Sequence, residues 1–256
     1  MNQAACLGLV SLIVSINPTQ AQNAADAYYD PQAMAASRAM LKQGHGNQIN
    51  SMVIAERFEV STSDGEDALV WEGQGWRGTD TDKLWVKTEG GYVDGGGTEE
   101  GELQVLYSHA VSAFWDLQAG ARYDIESSPN RSYFVIGAQG LAPYWFEVDT
   151  ALFLSDQGKV SARFEAEYEL FLTQRLILQP RLELNVAASA DNDRRIGSGL
   201  FISVAELRLR YEIRREFAPY IGLSWGGDFG DTADQVERVG DDPRELSLVA
   251  GIRVWF

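Results

Sequence analysis

Apolar and polar residues alternate along this chain, most cleanly over residues 159–186. Even positions there carry Val160, Ala162, Phe164, Ala166, Tyr168, Leu170 and Leu172, then Leu176, Leu178, Pro180, Leu182, Leu184 and Val186. Odd positions carry Ser161, Arg163, Glu165, Glu167 and Glu169, then Arg175, Gln179, Arg181, Glu183 and Asn185, with Phe171, Thr173 and Ile177 near the turn. Successive side chains on a strand point to opposite faces, so each segment has one apolar and one charged face. The runs exceed ten residues, whereas soluble strands average about five or six and membrane-spanning strands take about 9–11. The pattern predicts an all-β fold, a transmembrane antiparallel up-and-down β-barrel with its apolar face toward lipid and its charged face toward a wet lumen.

Extended along the chain, the same reading places strands at residues 51–61, 66–74, 82–90, 100–109, 113–125, 131–138, 143–154, 159–171, 174–187, 199–213, 217–226 and 244–256. Twelve is an even number, so both termini are expected at one end. Short connections (around 77–82, 110–112, 140–142, 173 and 214–216) alternate with longer ones rich in Gly, Asp and Ser (63–65, 91–99, 126–130, 156–158, 189–198 and 227–243). Short periplasmic turns and longer external loops would fall in this order. The last strand sets Leu246, Leu248, Ala250, Ile252, Val254 and Phe256 on one face, against Ser247, Gly251 and Arg253 on the other. Tyr144, Phe146, Tyr168, Tyr211, Trp115, Trp225 and Phe256 are candidates for the aromatic girdles of such a barrel.

The N-terminal part does not alternate. Residues 1–21 hold no charge and an apolar run from Ala4 to Ile16, which reads as a secretory signal peptide lacking the usual basic n-region. The lone cysteine, Cys6, lies inside it, so the mature chain would have no disulfide, thiolate ligand or cysteine nucleophile. Residues 22–50 read as a flexible periplasmic arm, with Asp30-Pro31 able to start a short helix over Gln32–Lys42. Residues 51–256 are then the barrel. The chain carries 37 Asp+Glu against 21 Lys+Arg, a formal charge of −16, which argues against nucleic acid as a partner.

Longer phrases stand out once the strands are placed. They are Ala68-Leu-Val-Trp-Glu-Gly-Gln-Gly-Trp76, Leu84-Trp-Val-Lys-Thr-Glu-Gly90, Phe114-Trp-Asp-Leu-Gln-Ala-Gly120 and Gln139-Gly-Leu-Ala-Pro-Tyr-Trp-Phe-Glu-Val-Asp149. Two more follow, Leu172-Thr-Gln-Arg-Leu-Ile-Leu-Gln-Pro-Arg181 and Leu209-Arg-Tyr-Glu-Ile-Arg-Arg-Glu-Phe-Ala-Pro-Tyr220. Over about residues 50–256 the chain resembles the copper resistance protein B (CopB/PcoB) family of outer-membrane barrels. The resemblance implies an outer-membrane location, no enzymatic activity, and a role in copper resistance in which copper ion is bound or passed across the membrane. Many members of that family carry a Met/His-rich N-terminal stretch; here it is reduced to Met34, Met40, His45 and Met52.

Those four residues are the metal candidates, because thioether and imidazole are the soft ligands that suit copper. The competing reading is that they merely fill a flexible, helix-forming segment. The second constellation is the charge ladder on the lumen face: Glu147, Asp149, Arg163, Glu165, Glu167, Glu169, Arg181, Glu183, Glu206, Arg208, Arg210, Glu212 and Arg253, with Asp116, Arg122 and Arg214 as further members. It reads either as a salt-bridged plug or as a cation path. The acidic loop 227–243 lacks EF-hand spacing and reads as a solvated external loop that meets lipopolysaccharide through divalent ions. His109, without a second histidine nearby, reads as an interface residue. Ser–His hydrolysis needs a base beside a hydroxyl on the outer rim, and neither His45 nor His109 is expected there. The function expected is an outer-membrane copper homeostasis protein that sequesters or exports the ion, with lipid, lipopolysaccharide, copper ions and a periplasmic copper protein as partners. The alternative is a narrow passive porin without specific metal binding.

Overall fold

The computed structural model describes residues 24–44, 46, 48–63, 66–93, 97–126 and 130–256. The expected signal segment, Cys6 and His45 lie outside them. The strands are β1 (Asn50–Ser63), β2 (Glu66–Gly78), β3 (Asp82–Val93), β4 (Gly97–Ala110), β5 (Trp115–Glu126), β6 (Arg131–Ala142) and β7 (Phe146–Ser155). They continue as β8 (Val160–Glu167 and, after a break, Leu170–Phe171), β9 (Leu176–Ala187), β10 (Gly199–Tyr211), β11 (Phe217–Asp228) and β12 (Arg244–Trp255). Each pairs antiparallel with its sequence neighbour, and β1 pairs with β12 (Ile54↔Trp255 to Thr62↔Leu248), so the sheet closes on itself. The result is the expected twelve-strand up-and-down barrel.

Alternation builds the wall inside out relative to a soluble sheet. On β4, Glu102, Gln104, Leu106 and Ser108 are buried within the barrel, while Leu103, Val105 and Tyr107 are exposed on the outside. No helix among the described residues is long and apolar enough to cross a membrane. Strands satisfy their backbone groups between neighbours, and closing the sheet removes its edges.

Two irregularities matter for the lumen. The β8 break falls at Tyr168-Glu169, opposite Pro180 of β9. Tyr168 N–H donates to the Pro180 carbonyl at 3.1 Å, but proline has no N–H to return. The register is the same on both sides of the gap (Glu167↔Arg181, Leu170↔Leu178), so the inward and outward faces are preserved. In β1 a bulge between Ala55 and Arg57 inserts one residue, and both Glu56 and Arg57 consequently line the lumen.

The connections depart from expectation at three places. The long connection expected at 91–99 is mostly strand, since β3 runs to Val93 and β4 starts at Gly97. The connection expected at 140–142 is strand, since β6 continues through Ala142 opposite Phe146. The chain turns instead at Pro143–Trp145, with Tyr144 and Trp145 at φ 68° and 69°. Loop 227–243, expected to be irregular, contains a helix, α2 (Gly230–Val239), taking α1 as the helix of the N-terminal unit (Pro31–Gly44). α2 ends at Gly240, whose φ of 95° suits glycine, with Gly240 and Asp241 N–H bonded back to Glu237 and Val236.

Helix α2 locks against the β9–β10 loop. Gly197 N–H donates to Thr232 Oγ1 at 2.8 Å, and a Cβ at 197 would lie 2.7 Å from Asp231 Cβ and 2.8 Å from Thr232 N. The same loop reaches the wall through the Arg131–Asp191 ion pair and through Arg194, which sits 2.8 Å from Asp124 and also contacts Tyr133. Gly197→Ala is expected to cost about 1–3 kcal/mol by overpacking. It should also speed protease cleavage within 188–198 of the folded protein while the barrel itself survives. Unchanged cleavage would show that the loop does not depend on this contact.

Candidate functional site

The lumen is where the charged faces of all the strands converge, and its mid-section is crossed by ion pairs rather than left open. Glu206 on β10 is the hub, with three guanidinium groups around its carboxylate: Arg57 at 3.1 Å, Arg181 at 3.0 Å and Arg208 at 2.6 Å. Arg57 also pairs with Glu72 on β2. Arg181 reaches Glu165 at 2.7 Å and Glu183 at 3.3 Å, and Arg208 reaches Glu59 at 2.9 Å. Tyr220 donates a further hydrogen bond to Glu59 at 2.9 Å. Because β1 and β10 are not neighbours in the sheet, the Arg57–Glu206 pair spans the interior.

A second group surrounds Arg163 on β8, which lies 2.8 Å from Glu89 on β3 and 2.9 Å from Glu102 on β4. Arg122 shares Glu102 at 2.7 Å and pairs with Asp124. Lys87 on β3 pairs with Asp149 on β7, and Lys83 meets Asp116 at 2.8 Å. Toward the end that carries the termini, Arg210 holds Glu169 and Gln179, with Glu212 at 3.9 Å, while Arg253 meets Glu56 at 2.9 Å. Each guanidinium is thereby neutralised where water is scarce, the condition for keeping a charge buried.

Beside the ion pairs runs a row that the charge ladder gave no reason to expect. Pairing links Met52↔Trp76↔Trp85↔Leu106↔Gly120↔Val135↔Phe153 across seven strands. Trp85, Leu106, Val135 and Phe153 form a buried cluster inside the barrel, with Trp76, Tyr133 and Ala151 against it. A Cβ at Gly120 would stand 2.1 Å from the Val105 carbonyl oxygen, so only glycine fits in this row. Cations lie over its aromatic faces: Arg122 is 4.7 Å and Arg163 5.6 Å from the Phe153 ring centre, and Lys87 is 5.8 Å from that of Trp85. The Trp85 indole N–H is buried without a partner.

What is left of the lumen is a cavity of about 380 Å³ bounded by the two ion-pair groups. On its β7–β8 wall two successive rungs set like charges opposite each other, Glu147↔Glu167 and Asp149↔Glu165. Asp149 and Glu165 are offset by Lys87 and Arg181. Glu167 accepts a hydrogen bond from Gln179, and Glu147 has no ion pair among the described residues. No group of three or more His, Cys, Asp or Glu with metal-holding geometry occurs among the described residues.

The thirteen ladder residues thus all contribute to this interior, and the structure brings them together. It adds lumen residues that sequence reasoning missed: Glu56, Arg57, Glu59, Glu72, Lys87, Glu89, Glu102 and Asp124. Alternation in β3 and β4 (Lys87, Glu89; Glu102, Gln104) was the available signal. The four metal candidates fall on different parts of the chain. Met52 is in the barrel wall, on the inward face beside Trp76. Met34 and Met40 are on α1, and His45 is outside the described residues. Six positions along a helix put two side chains about 120° apart, and Met40 is 74% exposed. His109 is engaged at the end carrying the termini, its Nδ1 2.8 Å from Asp82, which also accepts from Tyr107 and Thr81.

The N-terminal unit has its own ion pair. Asp30 Oδ2 caps α1 by accepting from Ala33 N–H at 2.9 Å, and Arg38 donates to both Asp26 oxygens at 2.6 and 3.0 Å. These hydrogen bonds from Arg38 hold the Asp26 carboxyl below the usual carboxylate range. A lowered folded pKa means the contribution is present above the unfolded value of about 3.9 and fades as pH falls through the folded one. A carboxyl-carbon NMR titration of the whole protein should show Asp26 protonating at lower pH than an ordinary aspartate; an ordinary midpoint would mean the pair does not form. In the lumen, Glu206→Ala should cost about 3 kcal/mol by removing the carboxylate that three guanidiniums share, each keeping one other partner (Glu72, Glu165 or Glu59). Glu147→Gln should stay within about 0.5 kcal/mol, both read from urea unfolding midpoints. Equal effects would contradict the hub.

Comparison with known proteins agrees with this architecture. Residues 49–256 match the family model described as copper resistance protein B precursor (CopB). The chain is 43% identical over 212 residues to copper resistance protein B of Escherichia coli, covering 83% of this chain and 71% of that protein. It is 42% identical over 214 residues to the copper resistance protein B homolog of Pseudomonas syringae pv. tomato (strain ATCC BAA-871 / DC3000), covering 84% and 72%. In fold it is similar to the NanC porin structure, with a TM-score of 0.52 at 13% identity, covering 80% of this chain and 99% of that one. Met34, Met40 and His45 precede the matched span, whereas Met52 and the whole lumen ladder fall within it. The chain belongs to the copper resistance protein B family of outer-membrane β-barrels.

Proposed function

We propose that this protein serves copper resistance by binding copper ion at the outer membrane and helping to sequester or export it, without catalysing a reaction. Family membership across residues 49–256 is the observation that carries this reading. In it the N-terminal arm lies in the periplasm, receives the ion from a periplasmic copper protein, and offers Met34, Met40 and His45 as soft ligands. Met52, inward and next to Trp76, is the first such ligand the ion meets at the barrel. The termini share one end of the barrel with the short turns, which supports a periplasmic placement of that end. Lipopolysaccharide would then surround the long acidic loops at the other end.

The lumen favours holding over free passage. Its carboxylates are largely engaged by arginine and lysine, so they attract a cation less than their number suggests. Hard carboxylates alone also do not select copper from zinc or calcium. A passive porin would share the fold, as the NanC likeness illustrates.

Copper binding to the purified barrel, with Cu(I) and Cu(II) titrated separately, tests the reading on the full mature chain and on a chain lacking residues 22–50. Loss of Cu(I) affinity with the arm is the expected result. Affinity that survives the deletion but falls with Met52→Ala would move the site to the barrel mouth. No binding by either chain would sink the metal reading and leave a narrow porin.

A further inference from the structure

At the end carrying the termini, the arginines of the lumen mouth differ from those deeper in. The deeper ones all hold carboxylates. Arg175 on the β8–β9 turn and Arg214 and Arg215 on the β10–β11 turn are exposed, and none of the three has an ion pair among the described residues. Between these turns lies a cavity of about 640 Å³ lined by the three arginines, Phe171 and Glu212. Glu212 stands 3.9 Å from Arg210, and Glu216 follows in the turn. The cavity wall thus carries three cations and one carboxylate, on a chain whose formal charge is −16.

Register opens this cavity at the mouth of the lumen. Phe171 pairs with Ile177, which is fully buried. The pairing Leu176↔Tyr211 brings Arg175 opposite Glu212, and Glu212 N–H donates to the Arg175 carbonyl at 2.8 Å. Arg214 continues the alternate positions Glu206, Arg208, Arg210 and Glu212 that form the inward face of β10. Thr173 Oγ1 accepts from Arg175 and Leu176 N–H at 3.2 and 2.9 Å, which fixes the first turn. Trp255 Nε1 donates to the Arg215 carbonyl at 2.7 Å and its N–H to Glu216 at 3.1 Å, which ties the second turn to β12. Further into the barrel the sign reverses, with Glu169 held by Arg210 and Glu147 opposite Glu167. A negative ligand is therefore attracted as far as the arginines and repelled beyond them.

We infer that this mouth is a binding site for a small oxyanion carrying two or more negative charges, a polycarboxylate or a phosphate, held by Arg175, Arg214 and Arg215. Guanidinium groups match both chemistries through paired N–H donors. The volume is that of a small-molecule site, and Phe171 supplies an apolar wall. None of Met34, Met40, His45 or Met52 belongs to it, so the site is independent of copper binding.

The test is isothermal titration calorimetry of citrate, and separately of inorganic phosphate, into the full mature protein in an uncharged detergent without metal. One or both should bind, with affinity that weakens as salt is raised. Arg175→Gln and Arg214→Gln should each weaken that binding about tenfold, the loss of one hydrogen-bonded charge. Arg238→Gln combined with Arg244→Gln, at the other end of the barrel, should leave it unchanged. Glu212→Gln removes the one carboxylate on the cavity wall and should tighten binding, a gain that a damaged barrel does not produce. Binding of citrate alone, or of phosphate alone, would name the chemistry of the anion. Binding of neither, equal losses in the control variant, or weaker binding by Glu212→Gln would overturn the proposal. So would arginine-dependent binding confined to a poly-glutamate peptide, which would make the mouth a protein-docking surface.

Discussion

A closed barrel in lipid sends every second side chain into a narrow interior, and the charges placed there must find one another. Glu206 accepts Arg57, Arg181 and Arg208 from three other positions on the wall, and Glu102 is shared by Arg122 and Arg163. These pairs form because the strands are registered so that opposite charges face across the interior, and moving one strand by a single residue would turn its whole charged face toward lipid. Buried pairs of this kind specify an arrangement more surely than they stabilise it, since desolvation offsets much of their attraction. The lumen chemistry and the registration of the wall are therefore one property.

The apolar row complements that network. Trp85, Leu106, Val135 and Phe153 occupy the volume beside the ion pairs, and the guanidiniums of Arg122 and Arg163 lie over Phe153. This displaces water from around the charges and strengthens their mutual attraction. It also fills one level of the lumen, and the remaining space lies beside it, lined by polar residues from all twelve strands.

The sequence made β7–β10 legible because each charged residue there is flanked by Leu, Val, Phe or Ala on the lipid side, so the two faces differ sharply. In β1–β4 the contrast fades. Trp76, Trp85 and Leu106 are apolar yet inward, and Gly73 and Gly75 leave the outward face bare. The bulge at Glu56 also reverses the phase, so a ladder counted forward from Met52 would assign Phe58 and Glu59 to the wrong faces. Helix α2 was signalled by its helix formers and by Gly240, but acidity and length made the segment read as loop. Nothing in Pro143-Tyr144-Trp145 announces two bulky residues with positive φ, a conformation for which glycine or asparagine is the usual marker. Of the candidate site, the lumen half was readable from period alone. The arm half was a composition argument, and its described members fall on two different elements, α1 and β1.

Proline at position 180 gives the cylinder one compliant stave. Along most of the wall each strand is fastened on both sides, but Tyr168 stands at the very start of β7 on one side and faces Pro180 on the other, and Glu169 lies past the start of β7. That stretch is held more by side chains than by the ladder: the Phe146 and Tyr168 rings sit 4.9 Å apart on the outer surface, and Arg210 grips Glu169 within. A hoop yields where it is least fastened, so elastic widening of the barrel concentrates at this seam, next to the carboxylates at the end carrying the termini.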